Sequence, residues 1–175
     1  MRKLVTIFTL VLGTLFLADS ADAQVLPLSF EVRAGAAIPT GDFDDVSTGF
    51  TYGANIAWHF TPMFGVYGGY TQANFSGDNG NDPSLENFDV GAIVDLPFPA
   101  LSPWVRGGLV FGQYDGASRG TGFEAGGGIG FNVTPMISIT PGVRFTTIPV
   151  GDDHPRNVTG NATYITTDVG VRVRI

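Results

Sequence analysis

The sequence predicts an all-β chain, an eight-stranded antiparallel up-and-down transmembrane β-barrel. Three observations carry this prediction. The chain falls into eight runs of alternating apolar and polar residues, each near the length of a tilted membrane-crossing strand. Short, proline-marked connections alternate with longer acidic ones. Lysine is missing wherever a water-facing sheet would place it.

The first stretch stands apart from the fold. Arg2 and Lys3 form a positive head, and the apolar run over 4–18 is too short to cross a membrane comfortably as a helix. Ala21, Asp22 and Ala23 then supply the small-x-small pattern of a signal cleavage site. Residues 1–23 are expected to be a cleaved signal peptide and residues 24–175 the barrel domain.

The eight runs follow in order. Over 28–38 the even positions Leu28, Phe30, Val32, Ala34, Ala36 and Ile38 are apolar, while Glu31 and Arg33 lie on the other face. Over 50–60, Phe50, Tyr52, Ile56, Trp58 and Phe60 oppose Thr51, Asn55 and His59. The third run, 65–75, alternates weakly; its pattern puts Tyr67, Thr71, Ala73 and Phe75 outward and Tyr70, Gln72 and Asn74 inward. Over 87–96, Phe88, Val90, Ala92, Val94 and Leu96 oppose Asp89, Gly91 and Asp95.

The run 104–114 sets Val105, Leu109 and Phe111 against Arg106 and Gly108, and 122–133 sets Phe123, Ala125, Ile129, Phe131 and Val133 against Glu124 and a row of glycines. Over 137–147, Ile137, Ile139, Val143 and Phe145 oppose Ser138, Thr140, Arg144 and Thr146. Pro141 is a local objection there, because it removes a ladder donor. Over 162–175, Ile165, Val169, Val171, Val173 and Ile175 oppose Tyr164, Thr166, Asp168, Arg172 and Arg174. An even number of such runs can close on itself and leave no sheet edge.

The connections over 61–63, 97–103 and 134–136 are short, and Thr-Pro-Met recurs in two of them as an equivalent turn. Those over 39–49, 76–86, 115–121 and 149–161 are mostly longer and acidic. Aromatic residues gather at both ends of the runs. Trp58, Phe60, Phe64, Trp104 and Phe131 lie toward the short turns, and Phe50, Tyr52, Phe75, Phe111, Tyr114 and Phe123 toward the long loops. Two such belts suit the two interfaces of a bilayer.

Charge and composition narrow the function. A net charge of −7 argues against nucleic acid as a partner. The absence of cysteine rules out disulfides and thiolate metal sites. Beyond the predicted signal there are seven arginines and no lysine, so much of the strand surface is not built to face water. Five arginines and five acids share the polar strand phase. The nine acids and two arginines left over account for the whole net charge, which predicts a near-neutral lumen and an acidic loop rim.

These features resemble the small outer-membrane β-barrel superfamily of the OmpA/OmpX type. Gly35-Ala36-Ala37-Ile38-Pro39-Thr40-Gly41-Asp42-Phe43 is similar to the end of a first strand and opening of a first loop in that group. Alternating Val169, Val171, Val173 and Ile175 resemble the terminal strand signal read by the barrel-insertion machinery, with isoleucine in place of the usual final phenylalanine. The resemblance implies export to the cell outer membrane, contact with outer-membrane lipid and lipopolysaccharide, periplasmic turns and extracellular loops. Divalent cations bridging the acidic rim to lipopolysaccharide phosphates are a further expectation. The partner of the loops is left open.

The candidate site is a structural network of lumenal ion pairs among Glu31, Arg33, Asp95, Arg106, Glu124, Arg144, Asp168 and Arg172. Equal distances from the turns predict Asp95 opposite Arg106, Glu124 opposite Arg144, Glu31 near Arg172 or Arg174, and Arg33 within reach of Asp168. Barrel shear can displace each match by a couple of residues.

No catalytic constellation stands out, and neither an enzyme nor a cofactor is expected. His59 and His154 fall toward opposite ends of the barrel, too far apart for a shared metal or dyad. The His-x-Ser-Asn pattern of outer-membrane lipid A deacylases is not matched by His154-Pro155-Arg156-Asn157, which lacks the serine. The loop carboxylates Asp42, Asp44, Asp45, Asp78, Asp82, Asp152 and Asp153 follow no calcium-loop spacing and suit solvated turns. Gly126, Gly128 and Gly130 lack the helix a phosphate loop needs and are expected to make room for larger inward neighbours.

Two functions remain. One is a structural or surface-interaction barrel with a plugged polar lumen and acidic extracellular loops. The alternative is a small transport or permeability protein for ions or a hydrophobic ligand. An eight-stranded barrel has an interior just wide enough for side chains or one small ligand, and mixed charges inside favour the plug. A soluble ligand-binding barrel would exchange the two faces and leave the missing lysines unexplained.

Overall fold

The computed structural model describes residues 28–40, 46–77, 82–114, 120–150 and 160–175. The predicted signal peptide and the greater part of the four long loops, with His154 and most of the loop aspartates, lie outside the described residues. Eight strands appear in chain order: β1 (Leu28–Thr40), β2 (Val46–His59), β3 (Phe64–Gly77), β4 (Ser84–Asp95), β5 (Leu101–Tyr114), β6 (Gly120–Asn132), β7 (Ile137–Val150) and β8 (Gly160–Arg174). Each pairs with the next, antiparallel, and β1 pairs with β8 to close the barrel. The seam is continuous from Ser29↔Arg174 to Thr40↔Thr163, so neither terminal strand leaves an open edge.

Most strands are longer than the alternating runs, because pairing continues past the apolar band toward the loops. The short turns owe their shape to threonine. Thr61 Oγ1 accepts the N–H of Met63 and Phe64 at 3.3 and 2.9 Å, and Thr134 Oγ1 accepts those of Met136 and Ile137 at 3.3 and 3.0 Å. The two Thr-Pro-Met turns are therefore built alike, with the side-chain oxygen standing in for a backbone acceptor.

Outward residues form a continuous apolar band. Ile56, Val105, Val143 and Val169 keep 51 to 58 % of their surface exposed around the circumference. A patch of that extent is unstable against water and suited to lipid. Trp58, Phe60, Phe64 and Phe131 ring the turn side, and Phe50, Tyr52, Phe111 and Phe123 the loop side, all exposed. The β6–β7 ladder runs from Phe123↔Thr147 to Gly128↔Gly142 and resumes at Phe131↔Ile139. The gap falls opposite Pro141, whose nitrogen has no hydrogen to give.

Two expectations about side-chain direction are overturned. The phase of β3 is the reverse of that predicted: Tyr67, Thr71, Ala73 and Phe75 are buried in the lumen, while Tyr70, Gln72 and Asn74 face out. Polar outward residues are tolerated there because Gln72 and Asn74 stand level with Tyr52 and Phe50, in the loop-side aromatic ring at the edge of the apolar band. Trp104 and Phe75 also leave the predicted aromatic belts. Trp104 turns inward over Gly128 and Gly142, where a Cβ would stand 2.8 and 2.5 Å from its ring.

The interior has two storeys. Toward the turns and at mid-height it is polar and charged. Toward the loops it becomes an apolar core of Ala37, Ala73, Phe75, Leu85, Val110, Ile148, Ala162 and Tyr164. Phe75 meets Tyr164 edge to face, with ring centroids 5.7 Å apart at 77°.

Candidate functional site

All eight residues of the predicted network point into the barrel, and none exposes more than 7 % of its surface. Alternation explains this directly, since each lies on the polar phase of a strand whose other phase faces lipid. A charge turned to mid-membrane lipid costs about 2–4 kcal/mol, so the inward phase is strongly enforced. Inside, each charge still needs a partner, and the partners are the informative part.

At the seam, Glu31 and Arg172 stand directly opposite each other in the β1–β8 register. Arg172 Nε donates to Glu31 Oε2 at 2.9 Å, and Thr140 Oγ1 adds a second donor at 3.1 Å. The same arginine reaches the far wall, where Nη1 donates to Asp95 Oδ1 at 2.7 Å. The other Asp95 oxygen lies 2.8 Å from His59 Nε2. One chain of contacts thus joins β8 to β1 on one side and to β4 and β2 across the lumen.

At mid-height, Arg106 Nη2 lies 3.0 Å from Glu124 Oε1, and Tyr67 donates its hydroxyl to the same carboxylate at 2.9 Å. The Arg106 guanidinium sits 4.9 Å from the centre of the Tyr67 ring and 5.9 Å from that of Trp104. Arg33 donates to Asn55 and, at 2.6 Å, to Thr71 Oγ1, with Asp89 Oδ1 at 3.9 Å. Arg144 pairs with Asp168. Higher still, Asn87 donates to the Tyr164 hydroxyl at 2.6 Å, tying β4 to β8 under the apolar core.

Three predicted pairings are corrected. Asp95 pairs with Arg172 and His59, not Arg106. Glu124 pairs with Arg106, not Arg144. Arg33 turns to Asp89, not Asp168. Register supplies the reason: Asp95 stands opposite Trp104, and Arg106 opposite Gly126, so turn-based levels miss by one pleat. Long side chains then meet diagonally or across the axis rather than straight across a hairpin. Arg106–Glu124 and Arg144–Asp168 are both such diagonals.

Sequence reasoning left Asn55, Thr71, Tyr67 and Trp104 out of the network. Asn55 was available, since it shares the inward parity of Thr51 and His59. Tyr67 and Thr71 were hidden by the reversed phase of β3, and Trp104 by the habit of assigning tryptophan to membrane interfaces. Among the described residues, no three histidine, aspartate or glutamate side chains gather as a metal site. Chemically the arrangement binds charges to one another and leaves the mid-lumen packed.

The fold is shared with solved outer-membrane barrels. The Neisserial surface protein A structure superposes with a TM-score of 0.71 at 18% identity, covering 85% of this chain and 97% of that one. Ail, the attachment invasion locus protein of Yersinia pestis, gives 0.54 at 14% identity, over 84% and 96%. OprG of Pseudomonas aeruginosa gives 0.53 at 10% identity, over 84% and 96%. At these identities the likeness is one of fold. No curated protein matches the sequence. Residues 8–173 match the outer membrane protein beta-barrel domain family, and with a closed eight-stranded barrel and an apolar girdle in place the chain belongs to that family.

Proposed function

We propose that the protein is a sealed outer-membrane barrel whose working surface is its acidic, extracellular loop side. The observation that carries this reading is the filling of the lumen from the level of Asp95 and Arg172 up to the loop side. Cross-lumen ion pairs occupy the lower and middle levels, and the apolar core closes the loop side. The cavity among Thr71, Asn87, Asp89 and Tyr164 has no room for a water molecule. A wall of this kind gives the loops a rigid platform and offers ions no path. The similar Neisserial protein is named a surface protein and Ail an attachment protein, which supports a role at the cell surface. Divalent cations held between the acidic rim and lipopolysaccharide phosphates would anchor that surface in the outer leaflet.

Planar-bilayer recording of the refolded protein tests the reading. The expected trace has no conductance steps above the bare bilayer. Stable, ohmic open levels would replace it with the transport alternative.

A further inference from the structure

At the turn end the barrel opens into a recess of about 860 Å³ that the lumenal network does not fill. That volume lies in the range of sites for small organic ligands. Its wall is largely apolar, with Trp58, Phe60 and Phe98 at the rim, and the Trp58 and Phe60 rings meet edge to face at 6.2 Å. Its polar groups are few and converge from five strands: His59, Asp95, Ser102, Asn132 and Arg174.

The charges in the recess are not all paired at contact distance. Asp95 is held by hydrogen bonds, one oxygen by Arg172 and the other by His59. Arg174 is different. Its Nη1 reaches only neutral acceptors, Asn132 Oδ1 and Ser138 Oγ, both at 3.3 Å. Arg33, Arg106, Arg144 and Arg172 each have a carboxylate within 4.0 Å; among the described residues, Arg174 has none. A half-buried guanidinium with long, neutral contacts retains most of its capacity for a charge-assisted bond.

We infer that this recess binds a single-chain anionic amphiphile, its carboxylate or phosphate head on Arg174 and its alkyl chain along the apolar wall toward Trp58 and Phe60. Asn132 and Ser102 stand beside the head position, hydrogen-bonded to each other. Arg172 offers the head a poorer seat, because two carboxylates, Glu31 and Asp95, already hold it. Shape, apolar wall and one guanidinium without a carboxylate in contact point to the same class of molecule. The inference does not depend on the lumen being sealed, because the recess lies outside the ion-pair plug.

The test uses the refolded protein in nonionic maltoside micelles, followed by amide NMR during titration with dodecanoate. Saturable shifts are expected at His59, Ser102, Asn132 and Arg174. Dodecanol should bind about ten-fold more weakly, as should dodecanoate to Arg174→Gln, whereas Arg174→Lys should retain most of the affinity. Dodecyl phosphate should behave as dodecanoate does, and acetate or inorganic phosphate, lacking the chain, should not saturate. Equal binding of dodecanoate and dodecanol would show simple apolar partitioning and overturn the inference. Unchanged affinity in Arg174→Gln, or shifts confined to the lipid-facing strands, would overturn it as well.

Discussion

Replacing Asp168 with alanine is expected to cost about 3–5 kcal/mol of stability, the usual consequence of leaving a buried charge without its partner. Arg144 has 3 % of its side chain exposed and its ion-pair partner is Asp168. Glu124 is the nearest substitute, one pleat away in the β6–β7 register, but it is already held by Arg106 and Tyr67. Water has little access, and lipid surrounds the wall outside. Urea unfolding in phospholipid vesicles reads the loss directly. The double substitution Arg144→Met with Asp168→Leu should recover most of it, since replacing a buried pair by apolar side chains is often neutral or favourable. A loss below about 1 kcal/mol in Asp168→Ala would mean that Arg144 is hydrated or re-paired.

Phe75→Ala is expected to be comparably severe, at about 3–5 kcal/mol, for a different reason. Phe75 is 1 % exposed and packs on Tyr164 within the apolar core that closes the loop side. Truncation leaves a cavity enclosed by the barrel wall, which cannot collapse to fill it. Phe50→Ala is the control, because Phe50 is 56 % exposed on the outer face of the barrel. Vesicle unfolding should separate the two variants clearly, and equal losses would place Phe75 on the lipid face after all.

That contrast also marks where the sequence was readable. Period-two alternation reveals strand number, the phase of seven strands and the inward placement of Glu31, Arg33, Arg106, Glu124, Arg144, Asp168 and Arg172, because lipid on one side allows no compromise about which residues face out. The signal fades where the lipid ends. In β3, Gln72 and Asn74 lie outward at the edge of the apolar band, and Ala73 and Phe75 lie inward in the apolar core, so polarity and direction part company. The same core was visible by parity alone, since Val110 shares the phase of Arg106 and Ile148 that of Arg144. An expectation of a polar lumen concealed it.

Pairing was harder to read than placement for a geometric reason. Counting residues from a turn gives levels along one hairpin, but an arginine side chain is long enough to cross a narrow barrel. Arg172 accordingly links β8 to β4, and Tyr67 links β3 to β6. Such contacts depend on shear and on the whole circumference, which no single hairpin encodes.

Opposite walls of the barrel are held to each other through the lumen, most simply by Asp95 with Arg172. A double-mutant cycle with Asp95→Asn and Arg172→Met, measured by vesicle unfolding, tests it directly. Through-lumen pairing predicts a coupling of about 1–3 kcal/mol between residues on β4 and β8. Additivity within about 0.5 kcal/mol would contradict it and leave the two charges as independent groups in a wet channel.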